Sequence, residues 1–159
     1  QLNIEKTKQD INEIIDLAIS HVSLIIENNN GNIISEKEAV NSNVLGNETH
    51  LINVIVNILD NAIKYNDNIP EIFIKTFNIG SRILIEIKDN GIGMNKVVQS
   101  KIFEKFYRKQ TGDLHDVKGH GLGLAYVKKI IAYHNGNITV ESAIGKGSKF
   151  TIQLNTITK

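Results

Sequence analysis

Two asparagines and one lysine lie in a row on an otherwise apolar segment of the chain. Asn57, Asn61 and Lys64 stand at positions i, i+4 and i+7 within residues 50–65, so a helix would place all three on one face. Most other residues of this segment are Leu, Ile, Val or Ala, and such a helix should be largely buried. Amide and ammonium groups on a buried helix are costly unless a partner satisfies them. Anionic oxygens and a divalent cation would do so, which makes the row a candidate site for nucleotide phosphates.

A carboxylate stands at the end of a predicted buried strand. Residues 89–93 (DNGIG) directly follow residues 82–88, which alternate apolar and polar side chains. Asp89 could accept a hydrogen bond there from an exocyclic amine such as adenine N6, and Gly91 and Gly93 would let the backbone approach a planar base closely. A surface β-turn remains the alternative, because Asp-Asn-Gly is also ordinary turn chemistry.

Glycines also precede a predicted helix, at residues 119–124 (GHGLGL). Such glycines expose backbone N–H groups toward an anion, and the helix dipole adds to the attraction. The spacing is not the GxGxxG of a dinucleotide-binding turn, and the chain has no GxxxxGK[ST] phosphate loop. A flexible hinge is the alternative interpretation.

Aromatic anchors and an arginine lie together at residues 101–108 (KIFEKFYR). Phe103 and Phe106, three positions apart, can pin one helical turn onto the core. Arg108 would then project from a tethered segment and could reach a terminal phosphate bidentately. A solvated surface arginine is the alternative.

Composition narrows the classes of function. The chain has 159 residues, of which 41% are hydrophobic and 22% charged, and its net charge is +1. These values are ordinary for one globular domain and give no case for nucleic acid or an anionic membrane as partner. The absence of cysteine excludes disulfides, thiolate catalysis and cysteine-ligated zinc, and the five histidines lack metal-ligand spacing. Because the chain opens on Gln1, we expect it to be a piece of a longer protein.

Apolar periodicity and turn residues predict both helices and strands. Helices are predicted at residues 9–28, 48–65 and 122–134. Strands are predicted at residues 32–35, 38–40, 71–78, 82–88, 137–142 and 148–154, the last two joined by a structural hairpin turn at residues 145–148 (GKGS). Residues 94–120 are rich in glycine and weak in periodicity, which is typical of a functional or mobile loop. The pattern predicts one mixed α/β domain with a lid in its middle.

The order and spacing of these motifs resemble those of sensor histidine kinases. NILDNAIKY, DNGIGM, IFEKFYR, GHGLGL and GKGS follow one another as the N, G1, F, G2 and G3 boxes of that family do. The resemblance covers about residues 10–155 and is to the catalytic ATP-binding domain, whose wider group includes DNA gyrase, MutL proteins and heat-shock chaperones. It implies an α/β (α+β) fold, a two-layer sandwich with a mixed β-sheet of about five strands covered on one face by about three helices. It also implies a single domain over residues 1–159 with a mobile ATP lid at about residues 94–120.

The resemblance assigns roles around ATP and Mg²⁺. Asn57 corresponds to the amide that ligates Mg²⁺, and the catalytic set is Asn57, Lys64 and Arg108. Asp89 corresponds to the residue that reads adenine N6. The full cofactor-binding set consists of Asn61, Tyr65, Asp89, Gly91, Gly93, Gly119, His120, Gly121, Leu122 and Gly123.

This sequence departs from the family pattern at two places. His120 stands where the family usually has Thr, Ser or a similar small residue, and it still allows a phosphate contact. Residues 46–48 read Gly-Asn-Glu where Gly-Asp is common, and Asn47 can cap the following helix instead.

The implied activity is transfer of the ATP γ-phosphoryl group to a histidine on a dimerisation domain that this chain lacks, and through it to a response regulator. His21 is followed by Val22-Ser23-Leu24 rather than by the acceptor motif, and we interpret it as part of an ordinary packing helix. The isolated domain should therefore bind nucleotide and phosphorylate little or nothing. We expect a cytoplasmic domain, without nucleic-acid or membrane contacts of its own, in a protein anchored in the membrane elsewhere in its chain.

Other classes of protein stay open at this point. An anti-sigma-factor serine kinase shares these boxes. A non-catalytic nucleotide-binding module would keep the fold and lose turnover, although the intact Asn57 and Asp89 argue against it. An ATP-driven clamp of the gyrase type would need a transducer domain, for which 159 residues leave no room.

Overall fold

The computed structural model describes residues 3–105 and 123–157 of the chain. Within these ranges the helices are α1 (Ile11–Asn28), α2 (Glu48–Lys64), α3 (Lys96–Lys101) and α4 (Gly123–Tyr133). The strands of the same ranges are β1 (Thr7–Asp10), β2 (Asn32–Lys37), β3 (Asn43–Gly46), β4 (Glu71–Ile79), β5 (Arg82–Asp89), β6 (Asn137–Ser142) and β7 (Ser148–Asn155). Every helix in these ranges is too short or too polar to cross a lipid bilayer.

Five strands of the described chain form one mixed sheet, in the order β2-β4-β5-β7-β6. β2 runs parallel to β4, and the other neighbouring pairs are antiparallel. β5 lies at the centre of the sheet, where Ile83, Ile85 and Ile87 are all buried, as their alternation predicts. The sheet confirms the predicted fold class.

Three helices cover one face of this sheet, and α2 lies between α1 and α4. Ile14 of α1, Ile55 of α2 and Ile131 of α4 meet at one point in the core. There they face Ile85 and Ile152 of the sheet. The predicted two-layer sandwich is therefore confirmed. The apolar stripe of α2 is buried against the sheet and against α1 and α4.

A second, two-stranded sheet was not predicted: β1 pairs antiparallel with β3. The predicted strand at residues 38–40 is wrong, and the real strand β3 begins at Asn43. The reason lies in Thr76 of β4. Its carbonyl accepts the N–H of Glu38 at 2.9 Å, and its hydroxyl accepts the N–H of Ala39 at 3.4 Å. Because a side chain takes the place of the next ladder bond, the chain leaves the main sheet after β2.

The helix starts follow capping chemistry. Asp10 caps α1 by accepting the N–H of Asn12 at 2.9 Å, so residues 9 and 10 belong to β1 rather than to the predicted helix. Asn47 caps α2 by accepting the N–H of His50 at 3.0 Å, which confirms the expected replacement for the family's usual aspartate.

Candidate functional site

The polar row of α2 begins at Asn57, which is half-buried. Its amide Nδ2 donates to the carbonyl of Asn53, one turn earlier on the same helix, at 2.8 Å. This bond orients the side-chain amide, so that Oδ1 is the atom turned away from α2. A Cβ atom at Gly123, the first residue of α4, would lie 3.0 Å from that Oδ1. The Asn57 oxygen therefore points into the space at the N-terminus of α4.

Asn61 and Lys64 continue the row toward the C-terminus of α2, and Lys64 is the more exposed of the two. The Lys64 ammonium forms a 2.9 Å ion pair with the carboxylate of Asp60, four residues earlier. Sequence reasoning missed this pair, although the i, i+4 spacing of the two residues signals it. A phosphate that binds Lys64 must therefore compete with Asp60.

Asp89 lies at the end of β5 and is buried. Its Oδ1 accepts two backbone N–H groups, from Gly91 at 2.8 Å and from Ser148 at 3.2 Å. Burial raises the pKa of the Asp89 carboxyl above its ordinary value, and these two hydrogen bonds oppose that shift. Because both bonds end on Oδ1, the other oxygen is left to accept a hydrogen bond from a ligand.

Residues 89–93 form a loop that is wedged between the end of α2 and the β6–β7 hairpin. The N–H of Ile92 donates to the carbonyl of Tyr65 at 3.0 Å. A Cβ atom at Gly91 would lie 2.5 Å from that same carbonyl, and one at Gly93 would lie 1.9 Å from the carbonyl of Ala143. Gly93 also has φ +74, a left-handed conformation that other residues rarely adopt. The loop is thus a close backbone packing that only glycine permits, and the surface-turn alternative does not describe it.

Ser142 ties this loop to the hairpin, and sequence reasoning missed it. Its hydroxyl accepts the N–H of Met94 at 2.8 Å and donates to the carbonyl of Gly147 at 2.8 Å. It also meets the hydroxyl of Ser148 at 2.8 Å. The turn at residues 145–148 is structural, as predicted, and it also places the Ser148 N–H on Asp89. A lone serine at a strand end carries no sequence signal of such a role.

Asn57 and Tyr65 meet different parts of the fold. Asn57 faces the start of α4, and Tyr65 contacts the loop of Asp89. Eight residues of helix separate Asn57 and Tyr65, which corresponds to about 12 Å.

A buried histidine fixes the far end of α4. His134 Nδ1 bonds the carbonyl of Ile130 at 2.7 Å, and its Nε2 accepts the N–H of Asn47 at 3.1 Å. The imidazole is therefore neutral, with its proton on Nδ1. Burial lowers the pKa of His134, with further lowering from the nearby Lys6 and His50 and an opposing effect of the Ile130 bond. This residue is a core histidine with both ring nitrogens hydrogen-bonded.

Phe103, one of the two predicted aromatic anchors, lies within the described residues and packs against the core. Ile102 is buried, and the Phe103 ring packs edge-on against Phe150 with ring centroids 6.3 Å apart. The Lys128 ammonium of α4 lies 5.2 Å from the centre of the Phe103 ring. The remaining residues predicted for this region lie outside the described ranges: Phe106, Arg108, Gly119, His120, Gly121 and Leu122.

The donor groups fit Mg²⁺ together with a nucleotide. In the described parts of the chain no cluster of three His, Cys, Asp or Glu side chains could hold a metal by itself. Mg²⁺ characteristically takes few protein ligands and completes its shell with phosphates and water. A single oriented amide oxygen at Asn57 is consistent with this preference of Mg²⁺ for few protein ligands.

Comparison with known proteins identifies the class. The chain belongs to the family of histidine kinase-, DNA gyrase B-, and HSP90-like ATPases, whose family model matches residues 46–157. The sensor protein RprX of Bacteroides fragilis is 48% identical over 147 residues, covering 91% of this chain and 28% of that protein. The sensor-like histidine kinase SenX3 of Mycolicibacterium smegmatis is 35% identical over 145 residues, covering 91% of this chain and 38% of that protein. The chain thus spans less than two fifths of these relatives.

Solved structures agree with the sequence relatives. The mycobacterial sensor histidine kinase MprB superposes with a TM-score of 0.80 at 25% identity, covering 97% of this chain and 99% of that chain. A nucleotide-free catalytic domain of the histidine kinase ThkA gives a TM-score of 0.79 at 25% identity, covering 96% of this chain and 99% of that chain. These relatives confirm the histidine kinase catalytic ATP-binding domain and favour it over the serine-kinase alternative.

Proposed function

We propose that this domain binds Mg-ATP along α2 and donates the γ-phosphoryl group to a histidine on a dimerisation domain of the same protein. One observation carries the proposal. Asn57 Oδ1 faces the start of α4, and Tyr65, eight positions later, accepts an N–H from the loop that follows Asp89, so the helix rise of about 12 Å joins these two contacts. A metal-bound triphosphate at Asn57 and an adenine amine at Asp89 match these groups in chemistry.

The base end of the site recognises adenine through Asp89. Its free oxygen accepts a hydrogen bond from the exocyclic amine, which guanine lacks at that position. Gly91 and Gly93 keep the loop thin enough for a planar base, and Tyr65 lines the cleft where the loop meets α2. Asp89 is buried, which raises the pKa of its carboxyl, and one hydrogen bond contributes more in such a site than it would in water.

The phosphate end uses the row on α2. Asn57 holds Mg²⁺ through Oδ1, Asn61 donates to a phosphate, and Lys64 exchanges Asp60 for a phosphate oxygen. The catalytic role of Arg108 at the γ-phosphate, and the phosphate contacts of residues 119–122, belong to this proposal as well. They are supported by the position of these residues in the family's motifs.

Bound Mg-ATP supplies the phosphoryl group. Transfer breaks the bond between the γ-phosphorus and the bridging oxygen of ADP and forms a bond from that phosphorus to an imidazole nitrogen. The protein contributes position and charge neutralisation more than covalent chemistry. The row on α2 and the anchored base serve that purpose, because they hold the triphosphate at both ends.

The acceptor histidine lies on another part of the protein. His21 is exposed on α1, and its Nδ1 bonds the carbonyl of Leu17, one turn earlier on the same helix, at 2.7 Å. We therefore expect this chain alone to bind ATP and to autophosphorylate little or not at all. A response regulator is the expected final acceptor, and one solved structure of this fold is the histidine kinase ThkA in complex with the response regulator protein TrrA. Because ATP is the donor, we place this domain in the cytoplasm, within a protein anchored in the membrane elsewhere.

Calorimetric titration of this chain with ATP, in Mg²⁺ and in EDTA, tests the proposal. We expect binding in both buffers, tighter in Mg²⁺. The N57A variant should lose the difference between the two buffers, whereas D89N should weaken binding in both. Addition of the dimerisation domain of the same protein and γ-labelled ATP should then label a histidine on that domain. No affinity for ATP in either buffer would contradict the proposal and favour a non-catalytic module.

A further inference from the structure

A polar seam joins α2 to α4 and ends at the proposed metal ligand, Asn57. We define the seam by five residues, three on α2 and two on α4: His50, Asn53, Asn57, Gly123 and Tyr126. The α2 members stand at i, i+3 and i+7, and the α4 members stand three apart, so each set forms one row on its helix. The two rows face each other where α2 and α4 pack together. Asn53 is exposed and the other four residues are half-buried, so the seam lies at the rim of this helix contact.

We propose that Tyr126 is a positioning residue for the metal-binding amide of Asn57. The inference rests on the proposed function, since it assumes that Asn57 holds Mg²⁺. It concerns a side chain that is not expected to touch either the nucleotide or the metal.

The Tyr126 hydroxyl is held on α2 by a hydrogen bond. His50 Nδ1 and the Tyr126 oxygen are joined by a 2.6 Å hydrogen bond, and the two rings tilt against each other with centroids 5.9 Å apart. The Asn53 side chain lies beside the same phenol: burial raises the pKa of Tyr126, and Asn53 opposes that shift. A phenol bonded to one helix from its neighbour fixes how far the two helices can move relative to each other.

Asn53 connects this lock to the metal ligand. Its side chain lies beside the Tyr126 phenol, and its backbone carbonyl accepts Nδ2 of Asn57 at 2.8 Å. That second bond is the one that leaves Asn57 Oδ1 free for a cation. Any shift of the Asn53 segment toward or away from α4 therefore changes the direction in which the Asn57 oxygen points.

The same lock sets the distance between Asn57 and the start of α4. A Cβ atom at Gly123 would lie 3.0 Å from Asn57 Oδ1, so the backbone of α4 already comes as near as a side chain would allow. Tyr126 lies one turn farther along the same helix. If its hydroxyl loses its partners, α4 can slide along α2 by a fraction of an ångström, and the oxygen of Asn57 meets either the α4 backbone or empty space.

The Y126F substitution tests the proposal because it removes the hydroxyl and keeps the ring. The matched control is Y133F, the same change on the same helix, at a ring that packs beneath Lys6. Both variants of this chain are titrated with ATP in EDTA and over a series of Mg²⁺ concentrations. Loss of an outer-shell partner typically costs at least tenfold in metal affinity. We expect Y126F to need about tenfold more Mg²⁺ for half-maximal tightening, with unchanged ATP affinity in EDTA, and Y133F to match the parent chain.

A second readout needs no ligand. The side-chain NH₂ resonances of Asn57 report on its bond to the Asn53 carbonyl, and they can be followed by NMR in the unliganded chain. They should move in Y126F and stay in place in Y133F. The H50A variant, which removes one partner and keeps Tyr126 itself, should give a smaller change in the same direction.

The outcomes separate this inference from the proposed function. If N57A keeps the parent's Mg²⁺ dependence, the metal role of Asn57 fails and the inference fails with it. If N57A removes that dependence while Y126F leaves it unchanged, the inference alone is overturned. It is also overturned if Y126F weakens ATP binding equally in EDTA and in Mg²⁺, because that result describes a general loss of packing.

Discussion

The two ends of the candidate site are built in different ways. The base end consists of backbone: the loop at residues 89–93 lies against the carbonyls of Tyr65 and Ala143, and two N–H groups hold Asp89. The phosphate end consists of side chains on α2: Asn57 is held by a single bond to the Asn53 carbonyl, and Lys64 is held by the side chain of Asp60. Backbone packing offers few alternative arrangements, whereas ion pairs and amides can exchange partners. The difference implies a base pocket formed in advance and a phosphate site that adjusts on binding.

The largest effect on stability and on ATP binding should come from G93A, which disrupts the backbone packing of the base end. The new Cβ would lie 1.9 Å from the carbonyl of Ala143, in a residue with φ +74. We expect a loss of about 3 kcal/mol or more in the free energy of unfolding and no measurable ATP binding, because both the steric clash and the backbone strain act at once. Urea denaturation and calorimetry check this.

Gly145 provides the matched control for that substitution. It also has a positive φ, +76, but a Cβ there would meet no atom within 4 Å. G145A should therefore cost only the strain of the left-handed conformation, about 1–2 kcal/mol, and should keep ATP affinity. Equal effects of G93A and G145A would show that the packing at Ala143 is not what forms the base pocket.

At the base end of the site, D89N should change ATP affinity without lowering the free energy of unfolding. Asparagine can still accept the two N–H groups, but its NH₂ group cannot accept a hydrogen bond from adenine. We expect ATP affinity to fall by about a hundredfold, or roughly 2.7 kcal/mol, while the free energy of unfolding at neutral pH stays equal or rises. The gain follows from burial, which raises the pKa of Asp89 and makes its charged form costly.

The pH dependence of D89N gives an independent check. Because the pKa of Asp89 is raised in the folded state, the folded chain binds this proton more tightly than the unfolded chain does. The contribution of Asp89 to stability should therefore decline as pH rises from the ordinary aspartate pKa through the raised value. Across the acid range, denaturation curves should show the parent chain losing stability relative to D89N as pH rises. A contribution of Asp89 that grows with pH would contradict the raised pKa of this buried carboxyl.

S142A should have an intermediate effect. It removes the hydroxyl that bonds the Met94 N–H, the Gly147 carbonyl and the Ser148 hydroxyl, and leaves those groups partly unsatisfied. We expect a loss of about 1–3 kcal/mol in the free energy of unfolding and a smaller loss of ATP affinity than in D89N. The control S100A removes a hydroxyl that bonds only within its own exposed turn, and should be nearly neutral. ATP binding unchanged in S142A would show that the hairpin does not support Asp89.

The smallest effect should come from D60N, which tests the adjustable end. Removing the carboxylate frees Lys64 from its ion pair. An exposed i, i+4 pair contributes about 0.3–0.5 kcal/mol, so stability should hardly change. ATP affinity should rise about twofold at low salt, and the gain should vanish at high salt, where the pair is screened anyway. Titrations of D60N with ATP at two salt concentrations test this prediction. A fall in ATP affinity would contradict it and would indicate that Asp60 itself contributes to nucleotide binding.

Sequence reasoning found the parts of the site that have a local pattern. The row of Asn57, Asn61 and Lys64 follows from helical spacing, and the position of Asp89 follows from the end of an alternating strand. The cap at Asn47 was also predictable, because capping involves residues only three positions apart. The strand at residues 38–40 was wrong for the opposite reason: Thr76, a residue far along the chain, takes its hydrogen bonds.

The amino-acid sequence by itself determined the three long helices, the five strands of the main sheet, the apolar stripes and the family, because these depend on periodicity and on motifs in a set order. Only the tertiary structure decided what surrounds the polar atoms of the site. The oxygen of Asn57 meets the start of α4, and one oxygen of Asp89 accepts an N–H from a hairpin 59 positions later in the chain. The hydrogen bond between His50 and Tyr126 and the hydrogen bonds of the Ser142 hydroxyl likewise join residues on separate elements. Such contacts depend on how layers pack together, and no local pattern of residues records that packing.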